Sequence, residues 1–312
     1  MTASILESVP NFSEGRDPGV VRDIVAAMQK AGADVLDWTA DADHHRSVIT
    51  VVGAPDDIEN AAVAAARTAL ERIDLRRHQG VHPRIGAIDV LPFVPLSGLT
   101  MADAVASARR VGARIAGELG IPVFYYAHAS TPPGRTLAEL RRGGWEALAS
   151  GWPHGREPDE APHGARQGAH QTAGAVCVGA RRVLLAWNVC VRGVALDALK
   201  QIAARLRETG GGIRGLRAMA VALPRRNELQ LSMNLEDAEQ AEPMTVFQRI
   251  EEELSAAGGA ITRTEIIGLV PDRLAMDAAA DRLRLEPGAG ARLLSRKLLG
   301  HVAGATSGVP ER

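Results

Sequence analysis

Apolar positions along the chain change period several times, and each change predicts an element. Residues 4–9 read as a short strand. The polar stretch Pro10-Asn11-Phe12-Ser13-Glu14-Gly15-Arg16 follows as a loop carrying an amide, a hydroxyl and an acid. Asp17 and Pro18 then supply an N-cap and a first-turn proline, and Val20, Val21, Ile24, Val25 and Met28 share one helical face. Residues 35–38 predict a strand closed by the acidic turn 39–45, and 46–52, alternating and β-branched, a neighbouring one. An alanine-rich helix over about 56–73 leads through segment 76–86 into a buried strand at 87–94. A helix over 101–119, a strand over 121–126 and a helix over 137–148 follow. From 150 to 170 glycine, proline, histidine and charge break every period. Long structureless stretches are usually functional or disordered, so this one is expected to be a domain boundary and a flexible substrate-covering loop.

The second half predicts a strand at 182–189, a helix at 196–208, strands at 216–223 and 228–234, a helix at 245–257 and a strand at 264–270. Pro271-Asp272 then opens a further helix, and the glycine-rich tail beyond Glu286 is expected to fray. Both halves have the order β-α-β-β-α-β. The predicted class is therefore α/β (α+β), with two ferredoxin-like βαββαβ subdomains at residues 1–181 and 182–312. Each is a mixed sheet covered by helices, with a substrate groove between them.

Composition narrows the function without choosing it. Net charge is −1, so nothing in the overall balance points to nucleic acid and any anion site must be a local cluster. Aromatics at 3% are too few for base-stacking platforms. Cys177 and Cys190 fit no zinc or redox spacing and read as small core residues. Without a leader-like N-terminus or an 18-residue apolar run, a soluble, cytoplasmic chain with no membrane partner is expected.

The chemistry concentrates in Arg76-Arg77-His78-Gln79-Gly80-Val81-His82-Pro83-Arg84-Ile85-Gly86-Ala87-Ile88-Asp89. Pro83 stiffens the backbone and holds His82 extended. An imidazole at the mouth of a strand, ringed by guanidiniums, can take and return a proton near neutral pH. Asp37, Asp41, Asp43 and Asp89 are the candidates to orient it. The loops 11–16, 39–46 and 78–84 all flank strands of the first half, so they can gather at one rim. A metal site of His44, His45, His82 and the aspartates is the weaker reading, since adjacent histidines rarely ligate one ion. Nucleotide loops and a nucleophile elbow are absent. What remains is acid–base group transfer on an anionic small molecule.

Val9-Pro10-Asn11-Phe12-Ser13-Glu14-Gly15, His82-Pro83-Arg84-Ile85-Gly86-Ala87-Ile88-Asp89, Thr172-Ala173-Gly174-Ala175, Ala186-Trp187-Asn188 and Leu231-Ser232-Met233-Asn234-Leu235 resemble the glutamate formimidoyltransferase family, in order over most of the chain. The resemblance implies transfer of the formimino group from N-formimino-L-glutamate to N5 of tetrahydrofolate, the co-substrate, in histidine breakdown. It implies that His82 is catalytic and that the segment around 165–174 lies against the folate, which makes His170, Gln171, Thr172 and Gly174 the folate-binding candidates. Asn11, Glu14, Asp43, Arg46 and Arg84 are the substrate-binding candidates, the arginines for carboxylates. No metal is implied, a transferase without a cyclodeaminase region is expected, and a homodimer is compatible. His45 stands where the family pattern predicts asparagine. The alternatives are a glutamate N-formyltransferase or related one-carbon transferase using tetrahydrofolate, and a folate-binding module without turnover.

Overall fold

The computed structural model describes residues 4–162, 168–237 and 241–270, and the chain divides after Arg181 into two units. The first begins β1 (Ile5–Ser8), β2 (Asn11–Phe12), α1 (Pro18–Lys30), β3 (Asp34–Asp41), β4 (Arg46–Gly53), α2 (Pro55–Arg72) and β5 (Ile88–Ser97). β1 and β2 behave as one strand interrupted at Pro10, because both pair antiparallel with β4 on one side and β5 on the other. The expected loop at 10–16 is thus partly strand, and Asn11 lies in register with Val48 and Val90. β3 closes this edge by pairing with β4. The Asp17 carboxylate accepts the Gly19 N–H at 2.7 Å and starts α1, whose Val20, Val21, Ile24, Val25 and Met28 are buried as the spacing predicts.

The first unit is larger than a βαββαβ module. It continues through α3 (Met101–Leu119), β6 (Val123–Ala127), α4 (Leu137–Leu140), α5 (Gly144–Ala149) and β7 (Val176–Ala180). β7 inserts between β5 and β6, parallel to both, and completes a seven-stranded sheet. The break at 150–170 is therefore not a boundary, since the chain returns after it to the first sheet. Its described part is also tied down: Asp159 and Glu160 donate their N–H groups to the Val123 carbonyl at 2.8 and 3.1 Å, and Arg135 grips the Asp159 carboxylate. β7 is buried throughout, so no polar alternation marks it. A Cβ at its Gly179 would stand 2.4 Å from the Tyr126 ring. The helix expected over 137–148 is two short ones, broken where Gly143 and Gly144 take φ of 78° and 67°.

The second unit holds β8 (Leu185–Arg192), α6 (Leu196–Leu206), β9 (Leu216–Leu223), β10 (Glu228–Leu235), α7 (Pro243–Ala256) and β11 (Ala260–Ile267). Its antiparallel order β11-β8-β10-β9 is the split β-α-β arrangement. Leu185, Trp187, Val189 and Val191 alternate into one core with Leu231, Met233, Phe247 and Ile250, and the Trp187 and Phe247 rings stack at 6.1 Å. β11 starts four residues before the expected position, ahead of Gly268 in a left-handed turn (φ 75°). The helix expected from Pro271 and the tail beyond Glu286 lie outside the described residues. No helix among the described residues is long and apolar enough to cross a membrane.

Candidate active site

The turn between β3 and β4 is built to aim imidazoles. The Asp41 carboxylate accepts the Asp43 and His44 N–H groups at 2.9 and 2.8 Å, and His45 takes the left-handed conformation (φ 50°). Histidine, like asparagine, tolerates that region better than most residues. The loop after α2 runs close by. A Cβ at Gly80 would stand 2.3 Å from the His44 carbonyl oxygen, so only glycine permits the approach. Val81 donates its N–H to the Asp43 carbonyl at 3.1 Å and fixes the loop one residue before His82.

Hydrogen bonds to groups of fixed polarity settle the tautomers of three histidines. The Gln79 N–H donates to His45 Nδ1 at 3.3 Å, so His45 carries its proton on Nε2, 3.3 Å from a Glu14 carboxylate oxygen. The His45 carbonyl can only accept, so His78 donates from Nε2 at 2.8 Å. The His45 and His78 rings stack at 4.3 Å. In the same way His82 donates from Nδ1 to the Pro83 carbonyl at 2.8 Å. Its Nε2 therefore holds the lone pair, as a general base requires.

His82 is partly buried, with the His44 ring 5.8 Å away, and burial together with the positive charges of Arg46 and Arg141 and the neighbouring His44 holds its pKa well below the usual imidazole value. The orienting group is a backbone carbonyl rather than any of the four aspartates considered. Asp89 accepts the Ile85 N–H at 2.7 Å and pairs with Arg141. The expected ring of charge is also corrected: Arg76 and Arg77 are exposed and turn to Asp74. Arg46 and Arg141 supply the field instead.

Phe12, Ser13, His44, His45, Arg46, His78, His82, Arg84 and Asp89 line one pocket. Ser13 is spent on the scaffold, its hydroxyl donating to the Gly86 carbonyl at 2.7 Å. Arg46 donates to the Asn11 amide oxygen, and Asn11 donates to the Val9 carbonyl at 2.8 Å. Burial and the neighbouring Arg141 lower the Arg46 pKa to about 10, against the pull of Asp89 and Asp41, so it stays cationic at neutral pH. The two Nη atoms of Arg84 pair with both Glu146 oxygens at 3.2 and 2.9 Å. Arg84 is 14% exposed and Glu146 60%, so a buried cation is met by a carboxylate reaching in from solvent. The Nε atoms of Arg46 and Arg84 and the Nδ1 of His78 are buried without a hydrogen-bond partner. Native interiors meet most such groups with protein, ordered water or a bound group.

Other predicted residues sit beside the pocket and support it. One Glu14 oxygen accepts the N–H groups of Gly15, Arg16 and Asp17 at 2.8, 2.7 and 2.9 Å as well as facing His45. Burial alone would raise its pKa, but His45 and the backbone donors hold it down to about 2. Glu14 therefore shapes the site rather than offering a free acid. Asp43 is buried, and its carbonyl steadies the His82 loop. His170 Nδ1 accepts the Thr172 and Ala173 N–H groups at 3.3 and 3.1 Å and closes a turn against Gly174. That turn is stitched to the His82 loop, with Ala87 N–H on the Ala173 carbonyl, Ala175 N–H on the Ile85 carbonyl and Leu75 N–H on the Thr172 carbonyl, each at 2.9 Å. Gln171 is exposed at its tip. Residues 165–167 of the expected folate segment lie outside the described residues. Arg141 and Glu146 were not singled out from the sequence, and His78 lay in the singled-out stretch without a role of its own. The signal that could have found Arg141 is Asp89, a carboxylate in an apolar strand that needs a cation.

Two family models match this chain: the formiminotransferase domain, N-terminal subdomain, over residues 5–181, and the formiminotransferase domain over residues 186–286. The chain belongs to the formiminotransferase family. It is 38% identical over 286 residues to the glutamate formimidoyltransferase of Streptococcus pyogenes, covering 91% of this chain and 95% of that one. It is 36% identical over 302 residues to the enzyme of the same name from Thermoplasma acidophilum, with 95% and 97% covered. The formimidoyltransferase-cyclodeaminase of Sus scrofa is 37% identical over 89% of this chain, which spans 52% of that longer protein. Within this formiminotransferase, the pocket around His82 is the candidate active site.

Proposed function

We propose that this formiminotransferase moves the formimino group from N-formimino-L-glutamate to N5 of tetrahydrofolate, with His82 as general base and then general acid. The observation that carries the reading is an unprotonated His82 Nε2 beside two buried guanidiniums, each with an unpartnered Nε N–H. Such donors suit an anionic donor molecule, and the base suits a proton that must leave one nitrogen and reach another.

As the bond from N5 to the formimino carbon forms, His82 Nε2 takes the N5 proton. It returns that proton to the glutamate nitrogen as the old carbon–nitrogen bond breaks, which releases glutamate and leaves the group on N5. Proton transfer of this kind contributes about 10²–10⁴-fold. Arg46 and Arg84 hold carboxylates and supply orientation. For Arg84 this requires Glu146, the solvent-exposed member of the pair, to give way to the incoming carboxylate. The turn at His170–Gly174, sewn to the His82 loop, is the side from which folate is reached, and Gln171 is its accessible polar group. Purified protein given tetrahydrofolate and formiminoglutamate should yield the 5-formimino product. Product from N-formyl-L-glutamate alone would move the function to formyl transfer, and folate binding without turnover would leave a binding module.

A further inference from the structure

His78 lies in the pocket but has no part in the proton transfer just described. Its side chain is deeply buried, with the residue 8% exposed, and its ring is clamped. Nε2 donates to the His45 carbonyl, and one ring face stacks on His45, itself held by Glu14 and by the Gln79 N–H. A carbonyl oxygen cannot donate, so this contact fixes the proton on Nε2 and the lone pair on Nδ1. Nδ1 is buried and has no partner among the described residues. The pocket thus contains an acceptor of fixed polarity awaiting a donor.

We propose that His78 is a specificity-determining residue, its Nδ1 accepting the terminal N–H of the transferred group and so selecting an imino-bearing donor over its carbonyl-bearing counterpart. The inference rests on reading the pocket as the donor's seat. Formimino and formyl groups have nearly the same shape, so packing cannot separate them, whereas hydrogen-bond polarity can. An imino nitrogen offers N–H where a formyl group offers only an oxygen lone pair. Against Nδ1 the formyl oxygen would meet lone pair with lone pair. Reversing the tautomer would only move the clash to the His45 carbonyl. Nor does the ring turn into a double donor at neutral pH, because burial, the neighbouring His45 and the Arg84 charge push its pKa down to about 4. Sites built around such a hydrogen bond reject the isostere lacking it far better than apolar pockets do.

The test compares kcat/KM for N-formimino-L-glutamate and N-formyl-L-glutamate in wild type, His78→Gln and His78→Asn, with thermal unfolding as the check on folding. Glutamine can still donate to the His45 carbonyl but loses the acceptor at the Nδ1 position. Asparagine places an amide oxygen there. His78→Gln should lower the formimino-to-formyl ratio by about tenfold or more, the scale of an unmet buried hydrogen bond, and His78→Asn should retain more of the preference. If both donors fall together in His78→Gln and the ratio holds, His78 only positions the loop and the proposal is wrong. Equal use of both donors by the wild type would also overturn it. Turnover of neither donor by the wild type would instead reject the transferase reading itself.

Discussion

At the scale of single residues, the site depends on hydrogen bonds whose direction is forced. His82 is usable as a base because the Pro83 carbonyl takes its Nδ1 proton, and because burial, Arg46, Arg141 and His44 disfavour a second proton. A base held below its ordinary value is unprotonated throughout the neutral range. The pH profile of kcat/KM should therefore stay level from neutrality down past 6.5 and fall only below it; an acid limb at or above 6.5 would place His82 in an ordinary aqueous setting. His82 was legible in the sequence, since His-Pro-Arg at a strand mouth restricts the backbone wherever it folds. The source of its field was not. Arg76 and Arg77 are near in sequence yet face Asp74, while Arg141 arrives from 59 positions away because Asp89 needs a counter-ion. Proximity along the chain misleads where long side chains choose among partners.

At the scale of elements, the site is a knot of two turns and a loop: the Glu14 turn, the His44–His45 turn and the loop from Asp74 to Ala87. Glu14 and His78 hold it together, and both titrate far from their ordinary values. His78 is kept neutral in the fold down to about 4 while the unfolded chain takes up a proton near 6.5, so its contribution is complete above 6.5 and is lost as pH falls from there to 4. Glu14, held near 2, contributes fully above its ordinary 4.5 and loses that contribution as pH falls below it. Each shift corresponds to a contribution on the order of 3 kcal/mol. Denaturant unfolding should show stability declining from pH 6.5 downward, with a further loss below 4.5 that Glu14→Gln removes. A flat profile from 7 to 4 would mean that the knot does not contribute. The strands and long helices were legible from period alone, but β2 and β7 were not. β2 is two residues inside a polar run, and β7 is a small-residue strand buried on both faces, so neither carries an alternating pattern.

At the scale of the whole molecule, both halves carry the β-α-β-β-α-β order, but the first adds two parallel strands that the repeat alone would not predict. The addition serves the site. β7 brings the turn at His170–Gly174 back against the His82 loop, and α4 and α5 supply Arg141 and Glu146. The candidate pocket was legible as a set of loops flanking strands, but its charge balance came from Arg141 and Glu146 on a segment that read only as a helix. Family membership and geometry agree on transfer chemistry, and the central claim is that His82 performs the proton transfer. The most direct measurement is turnover of formiminoglutamate with tetrahydrofolate by wild type and His82→Ala, with folate binding followed in both. The account predicts a loss of about 10²–10⁴-fold in kcat for His82→Ala, with folate still bound. Equal turnover by the two proteins would contradict it.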